Sequence, residues 1–430
     1  MQSPGNRKRD RSILAIAALI ITTALILLHL YGVKTSTIDN VAELKYELGC
    51  RDFNQATCVD DWMWEQRSPY KYRVLGRVSV WALYQADSLL GLTTESALFD
   101  AYVACSFLFT FTTVFLLGVL TGDLIRRLYP GCAAGTAATL VRLALLLFAL
   151  SPPILFFVKY PVRGQPNDLI GYSLMLAALC CLSARRIVGF CLVCVLAAFC
   201  RETTLLLPFL FLFFYPLPLR RKLLPALLPV AALASFRLLW PGPYDAFEGA
   251  RLNLSKPLET ACFLLLTFGP LWILALLGYW HVRNSDRTPR DPLLHVLAAS
   301  FPWSFLLTLA IVSAFASIWE IRIFYVLFFY FVPFAVIGLY QYGERIVQLC
   351  RNLYYLLFLL GVLILTCRFW VWMHPLNQHD FLERADRLGF IFFGYWNSPQ
   401  HNWIRILTAE LMLTAACLPF LSLARERRHT

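Results

Sequence analysis

Charged residues are scarce in this sequence, where they make up 15% of 430 positions. A soluble globular protein carries about a quarter. Continuous apolar blocks stand in their place, apolar residues amount to 59% of the chain, and the mean hydropathy is +0.62. The blocks approach the ~20 residues that a helix needs to cross a bilayer, and they do not alternate as barrel strands do. The scarcity of charge thus excludes an ordinary soluble fold and predicts an all-α polytopic transmembrane helix bundle.

Several common enzyme motifs are also missing. The chain has no Walker-type phosphate loop, no glycine-rich dinucleotide fingerprint, no HExxH helix and no GxSxG elbow. Most of its 13 cysteines lie in apolar blocks, where a free thiol behaves as a small hydrophobe, and none has metal-ligand spacing with histidines. Only Cys50 and Cys58 share a polar loop, where an oxidising compartment would allow a disulfide. The residues assign no cofactor.

The net charge of +12 does not indicate a nucleic-acid partner, because the basic residues form short clusters between the apolar blocks rather than one patch. Counting ~20 residues per crossing predicts about twelve spans. They lie at 13–31, 98–120, 136–157, 168–183, 187–200, 203–218, 223–240, 260–281, 293–316, 321–341, 352–373 and 401–421. The short pair on either side of Arg201–Glu202 has an alternative, which is one helix with a polar break.

Alternate loops between these blocks are basic, as the positive-inside rule demands. The clusters are Arg126–Arg127, Arg185–Arg186, Arg220–Arg221–Lys222, Arg283 with Arg287 and Arg290, Arg345 with Arg351, and the tail Arg425, Arg427 and Arg428. They fall on the same side as the basic N-terminus. The apolar run from Ile13 to Leu30 has no clean cleavage site after it, which favours an uncleaved signal anchor. Both termini are therefore expected in the cytoplasm.

Two outer loops are long enough to hold structure, within one membrane domain that covers residues 1–430. The first loop is residues 32–97, and its stretch from Val74 to Leu92 is only partly apolar, which predicts an interfacial amphipathic helix. The last is residues 374–400. Most acidic residues fall in or beside outer loops, although acids contribute little to orientation. Their concentration there indicates either plain solvation or a site.

The first outer loop holds the candidate catalytic acids. Asp39 follows the first span, and Asp60 and Asp61 lie farther along near Trp62 and Trp64. A carboxylate held near a membrane surface beside aromatics can act as a general base. The alternative for Asp39 is a helix N-cap, because it is followed by Asn40 and an apolar-periodic run.

Ionisable residues in and beside other apolar blocks form the candidate binding set. Lys159 and Arg163 are cations on the outer side, against the topological trend, and suit a phosphate partner; snorkelling side chains are the alternative. Charged residues at membrane depth face a cavity or each other, so each remaining pair is either a substrate contact or a structural ion pair. These residues are Asp168, the pair Arg201 and Glu202, and the pair Glu320 and Arg322, with Arg142 and Arg237 open to the same doubt.

The order of these motifs resembles the GT-C superfamily of polytopic membrane glycosyltransferases, in an uncharacterised bacterial-type branch. The similarity covers roughly residues 10–340 and rests on short motifs taken in order. They are the acid-bearing first loop, Ser68-Pro69-Tyr70-Lys71-Tyr72-Arg73-Val74-Leu75, Arg163-Gly164-Gln165-Pro166-Asn167-Asp168, Arg201-Glu202-Thr203 and Glu320-Ile321-Arg322. One departure is that the usual acidic doublet after the first span is here Asp39-Asn40.

The resemblance implies a bacterial inner-membrane enzyme with membrane lipids around it and a lipid-linked sugar donor as its partner. A first-loop carboxylate, Asp39 before Asp60 or Asp61, would deprotonate an acceptor hydroxyl. The sugar would leave a polyprenyl phosphate with inversion while cations balance the phosphate charge. The substrate-binding residues implied are Tyr72, Arg73, Lys159, Arg163, Asp168, Arg201, Glu202, Glu320 and Arg322. Members of the superfamily differ in metal use, so a divalent metal stays open.

Two other classes remain as alternatives. A secondary transporter or lipid flippase would account equally well for charges at a broken helix. It also predicts internal repeats, and none is convincing here. A non-catalytic subunit of a membrane assembly is the third alternative.

Overall fold

The structure, a computed structural model, describes residues 4–35, 74–89, 97–151, 166–239, 248–255, 257–258, 260–261, 271–315, 327–371 and 400–421. Every regular element in these ranges is helical, and none is a strand. The expected all-α fold is therefore confirmed for the described residues. The acids Asp39, Asp60 and Asp61, and the last outer loop, residues 374–400, lie outside those ranges or almost entirely so.

A helix occupies each of the predicted apolar blocks. In chain order the helices are α1 Pro4–Thr35, α2 Val74–Leu89, α3 Ala97–Leu128, α4 Ala134–Ala149, α5 Pro166–Ser183, α6 Ile187–Ala198, α7 Leu206–Phe214, α8 Leu219–Leu239, α9 Glu248–Ser255, α10 Leu271–Arg283, α11 Pro292–Phe315, α12 Phe328–Arg351, α13 Leu353–Val371 and α14 Gln400–Cys417. Short 3-10 helices cover Glu202–Leu205 and Thr288–Arg290. The expected interfacial segment forms helix α2, and its position in a membrane stays a prediction.

Only some of these helices are individually long and apolar enough to cross a bilayer. Within the described residues there are 3, namely Asp100–Leu128, Leu219–Leu239 and Pro292–Ile311. A fourth candidate is the pair Phe328–Arg351 and Leu353–Val362, which is bent by 96°. The other apolar stretches in the described part of the chain, such as Ser12–Leu27 within α1 and Ala134–Ala149, are 10–17 residues long. These helices are compatible with a membrane protein. The expected number of about twelve crossings stays a prediction.

The chain divides into two units. The first consists of Met1–Leu120 and Phe157–Asp245, and the second of Thr121–Phe156 and Ala246–Thr430. Helix α3 runs from the first unit into the second.

In the first unit, successive short helices fold back on each other. Helices α5 and α6 are joined by a tight turn in which Arg185 has φ 57°. Helices α6 and α7 are also antiparallel, because the rings of Phe190 and Phe211, near the far ends of the two helices, lie 4.8 Å apart. Helix α8 packs along both. The break at Arg201–Glu202 is therefore the tip of a helical hairpin, here called the α6–α7 hairpin. Because the chain reverses direction there, the alternative of one helix with a polar break is wrong.

The second unit is held by a close helix pair and by buried hydroxyl groups. Helices α10 and α12 approach so closely at Gly278 and Gly338 that a Cβ on Gly278 would overlap the carbonyl oxygen of Phe334. Between α11 and α12, the hydroxyl of Tyr330 is hydrogen-bonded to those of Ser300 and Ser304. All three side chains are buried. Close backbone contact and interhelical hydrogen bonds are the forces that hold helices together inside a bilayer.

An arginine with two carboxylates joins the end of α3 to the start of α11 in the second unit. The guanidinium of Arg127 lies 2.9 Å from Asp123 and 2.7 Å from Asp291. Asp291 also accepts hydrogen bonds from the backbone N–H groups of Leu293 and Leu294, which makes it the N-cap of α11. Part of the basic cluster Arg126–Arg127 thus has a structural role in addition to any role in orientation.

Candidate functional site

Three of the predicted site residues lie within the described chain: Asp168, Arg201 and Glu202. The predicted catalytic and substrate-binding residues Asp39, Asp60, Asp61, Tyr72, Arg73, Lys159, Arg163, Glu320 and Arg322 lie outside it. Their roles stay predictions. The three described residues meet at one end of the first unit. A fourth charged residue, Arg237, forms an ion pair with Glu202 there.

The innermost contact is an ion pair between Asp168 and Arg201. Asp168 lies in the first turn of α5, where the helix dipole favours a negative charge. Arg201 lies at the tip of the α6–α7 hairpin, with extended backbone (φ −162°, ψ 138°). The side chains are only 2% and 5% exposed. Because burying either charge alone would be very costly, each residue requires the other.

A second ion pair lies beside the first, since Glu202 follows Arg201 directly. Nη2 of Arg237 is 2.6 Å from Oε1 of Glu202. Arg237 belongs to the last turn of α8, a span that carries two prolines, Pro225 and Pro229. This pair is much more open than the first, with Arg237 40% exposed and Glu202 27% exposed.

Several contacts fix the hairpin tip against its neighbours. The hydroxyl of Thr204 donates to the carbonyl oxygen of Arg201 at 2.7 Å, which closes the tip. The backbone N–H of Leu75, at the start of α2, donates to the carbonyl oxygen of Phe199 at 3.3 Å. The ring of Phe199 also packs edge-on against Phe236 of α8, with centroids 5.6 Å apart. Arg201 and Glu202 are therefore placed by three elements besides their own hairpin: α2, α5 and α8.

A buried apolar cluster includes close sequence neighbours of the inner ion pair. Its buried members are Val80, Ala101, Tyr102, Cys105, Ile170 and Cys200, which come from α2, α3, α5 and the hairpin tip. Ile170 and Cys200 are close in sequence to Asp168 and Arg201. A charge pair in such surroundings feels a low dielectric, which strengthens its attraction and penalises the loss of either partner.

The two ends of this unit differ sharply in charge. The turn between α5 and α6 carries Arg185 and Arg186, and the connection into α8 carries Arg220, Arg221 and Lys222. Because α5, α6, α7 and α8 run antiparallel in turn, these basic residues lie at the end opposite Asp168, Arg201, Glu202 and Arg237. Helix polarity therefore supports the sequence-based assignment of Asp168 and Arg201 to the side opposite the basic loops.

The two pairs together carry no net formal charge, and each can do a different kind of chemistry. Asp168 is buried and paired with Arg201, which suits a structural role. The side chain of Arg237 is 40% exposed, and a guanidinium suits the bidentate binding of phosphate. No group of three or more His, Cys, Asp or Glu that could hold a metal occurs among the residues that the structure describes.

From the sequence, Arg237 was open as either a substrate contact or a partner in a structural ion pair, and it was not among the predicted site residues. Its signal was present: an arginine close to the non-cytoplasmic end of a predicted span contradicts the positive-inside trend, as Lys159 and Arg163 do. Its partner was not predictable, since Glu202 and Arg237 are brought together only by the packing of α8 on the hairpin. No protein-family model matches this chain, and neither the curated proteins nor the solved structures include a match to it.

Proposed function

We propose that this chain is a membrane glycosyltransferase that moves a sugar from a polyprenyl-phosphate donor to an acceptor on the non-cytoplasmic face. The observation that carries the proposal is the pairing of Asp168 with Arg201 next to Glu202 and Arg237. Asp168 and Arg201, which belong to two separate short motifs of the GT-C resemblance, are thus paired in one charged site. A lipid-linked sugar phosphate is an anionic substrate embedded in a membrane, and this site is charged and lies at the end of apolar helices.

The proposed reaction needs a base, a leaving group and cations. A carboxylate of the first outer loop, Asp39 in the first place and otherwise Asp60 or Asp61, takes the proton of the acceptor hydroxyl. The acceptor oxygen forms a bond to the anomeric carbon as the bond to the phosphate oxygen breaks, and the electron pair leaves with the polyprenyl phosphate. Attack opposite the leaving group inverts the anomeric centre. Lys159, Arg163 and Arg322 are the cations proposed to offset the charge on the departing phosphate.

In a membrane, the lengths of the helices would set the depth of the site. The part of α5 from Asp168 to Ser183 rises about 24 Å at 1.5 Å per residue, less than the ~30 Å of bilayer hydrocarbon. With the basic turns at the cytoplasmic surface, the two ion pairs lie just inside the outer boundary, within reach of a lipid phosphate. About twelve crossings, cytoplasmic termini and a place in the bacterial inner membrane belong to this proposal.

Transport or flipping of a lipid is the second candidate. It is favoured by the α6–α7 hairpin, whose helical arms are 12 and 9 residues long and whose tip carries Arg201 and Glu202. Broken helices with polar tips are typical of secondary transporters. The two candidates share the anionic lipid and differ in what happens to it.

Reconstitution into liposomes separates these functions. The protein is supplied with a panel of labelled polyprenyl-phosphate sugars and with a membrane extract as the source of acceptors. A transferase releases polyprenyl phosphate and produces a new labelled glycoside. A flippase leaves the donor intact and moves it to the other leaflet, which a leaflet-specific periodate oxidation of the sugar detects. Movement of intact donor without glycoside formation would replace the first candidate with the second.

A further inference from the structure

We propose that Arg237 binds the phosphate group of a lipid and that Glu202 holds this arginine in place until the phosphate arrives. The phosphate then replaces the carboxylate of Glu202 on the guanidinium. This inference deepens the proposed function by naming the residue that contacts the donor phosphate, and it rests on that function only for the identity of the lipid.

The two ion pairs differ in exposure. Asp168 and Arg201 are 2% and 5% exposed, so a ligand could displace one partner only by leaving a buried charge uncompensated. Glu202 and Arg237 are 27% and 40% exposed, so either can find new partners as they separate. An exposed ion pair contributes little net stability, which makes exchange of the anion inexpensive. The inner pair therefore holds the tip, and the outer pair can exchange its anion.

Arg237 lies on a helix that is largely exposed. Of the three long apolar helices in the described part of the chain, α8 is the least buried, with 22% of its apolar stretch buried against 44% in each of the other two. The neighbours that follow Arg237, Leu238 and Leu239, are 81% and 80% exposed. Apolar side chains this exposed at the end of a span are expected to face lipid. A phosphate at the head of a lipid chain would reach Arg237 directly from the bilayer.

A phosphate group can make more hydrogen bonds to Arg237 than Glu202 does. Glu202 presents one carboxylate oxygen to Nη2 of Arg237 at 2.6 Å. The phosphodiester of the donor has two unesterified oxygens and one negative charge, and the released polyprenyl phosphate is a monoester with a further unesterified oxygen, so either can bind the guanidinium through two parallel hydrogen bonds. The side chain of Glu202 is 27% exposed, so its carboxylate can be hydrated after the exchange.

Binding of a sugar-free polyprenyl monophosphate tests the proposal. The protein is placed in nanodiscs of zwitterionic lipid, and the dissociation constant is measured from the shift in its unfolding temperature. Arg237→Gln should weaken binding by about tenfold or more, and Arg237→Lys should weaken it less. Arg221→Gln, at the opposite end of the same helix and exposed, is the matched control and should bind as the unaltered protein does.

The informative variant is Glu202→Gln. If Glu202 competes with the phosphate for Arg237, removing its charge should tighten binding several-fold. A purely structural role for Glu202 predicts the opposite, a weaker or lost interaction in protein that still melts cooperatively. That result overturns the proposal, as does binding by Arg237→Gln that equals binding by Arg221→Gln. Should Arg237→Gln fail to fold, Arg237→Lys and Glu202→Gln still decide the matter.

Two further arms identify the source of the phosphate. Nanodiscs that contain phosphatidylglycerol test a diester headgroup, and inorganic phosphate tests a free anion. Binding of either with the same Arg237 dependence supports the shared chemistry and shows which form the site accepts. The proposed function can fail separately. Binding of polyprenyl phosphate without any sugar transfer would contradict the transferase proposal and leave the phosphate site supported. Sugar transfer with an unchanged KM in Arg237→Gln would contradict the phosphate site and leave the transferase proposal supported.

Discussion

The rings of Phe190 and Phe211 lie 4.8 Å apart on opposite arms of the α6–α7 hairpin. A continuous helix would separate them by about 30 Å at 1.5 Å per residue. Their contact therefore requires the chain to reverse between them, and the reversal places Arg201 and Glu202 at the tip. The charged site depends on this reversal, because it places the hairpin tip against α2, α5 and α8.

The first prediction concerns the inner ion pair. Asp168→Asn should destabilise the protein by about 3 kcal/mol, because it leaves the guanidinium of Arg201 buried without a counter-charge. Arg201→Gln should cost a similar amount. Unfolding by SDS in mixed micelles measures both. The double variant Asp168→Leu with Arg201→Met should recover most of the loss, since an apolar pair removes both buried charges.

Arg237→Gln is the matched comparison for that experiment. The Glu202–Arg237 pair is about one-third exposed, so its loss should cost less than about 1 kcal/mol. Equal losses from Arg201→Gln and Arg237→Gln would contradict the distinction between an inner, structural pair and an outer, exchangeable one.

The second prediction concerns the close approach of α10 and α12. Gly278→Ala should destabilise the second unit by about 1–3 kcal/mol or more, because its methyl group would overlap the carbonyl oxygen of Phe334. Gly343→Ala is the control on α12, since a Cβ there meets nothing within 4 Å. It should be neutral or stabilising by up to about 1 kcal/mol through helix propensity. Thermal unfolding in detergent compares the two.

The third prediction concerns the buried hydroxyl cluster between α11 and α12. Tyr330→Phe should cost about 1 kcal/mol, because it removes the hydroxyl that hydrogen-bonds to Ser300 and Ser304. Tyr354→Phe, at a position 85% exposed, should leave the unfolding temperature unchanged. An unaltered temperature for both variants would show that the cluster contributes nothing to the association of these helices.

The fourth prediction concerns orientation. Cys132 lies in the turn after Arg126 and Arg127, on the expected cytoplasmic side, and its side chain is partly exposed. An impermeant maleimide added to intact cells should therefore not label it. Cys50 and Cys58, reduced if necessary, should be labelled from outside. The reverse pattern would invert the topology and place the Asp168–Arg201 site on the cytoplasmic side.

Helix content was largely predictable from the sequence, and its physical basis is simple. An apolar block in a bilayer must satisfy its own backbone hydrogen bonds, so each block forms a helix. Helix ends were less predictable. Helix α1 begins at Pro4 rather than near residue 13, and α3 continues to Leu128 rather than 120, because no proline interrupts these basic flanks after Pro4.

The site was predictable only in part. Asp168, Arg201 and Glu202 were identified because charges beside apolar blocks require a partner or a function. Their pairing was not, since it depends on the reversal at the hairpin and on the packing of α8. Gly278 and Gly338 gave no signal either, because a helix–helix approach depends on two distant glycines in register.

Sugar transfer from polyprenyl-phosphate donors tests the central claim most directly. The reconstituted protein is assayed for release of labelled polyprenyl phosphate beside Asp39→Asn, Asp60→Asn, Asp61→Asn and the control Arg221→Gln. We expect glycoside formation by the unaltered protein and by Arg221→Gln. One acid variant, Asp39→Asn in the first place, should lose turnover by a factor of about a hundred or more while keeping its fold. Full turnover in all three acid variants would contradict the general-base assignment, and no turnover with any donor in the panel would contradict the transferase itself.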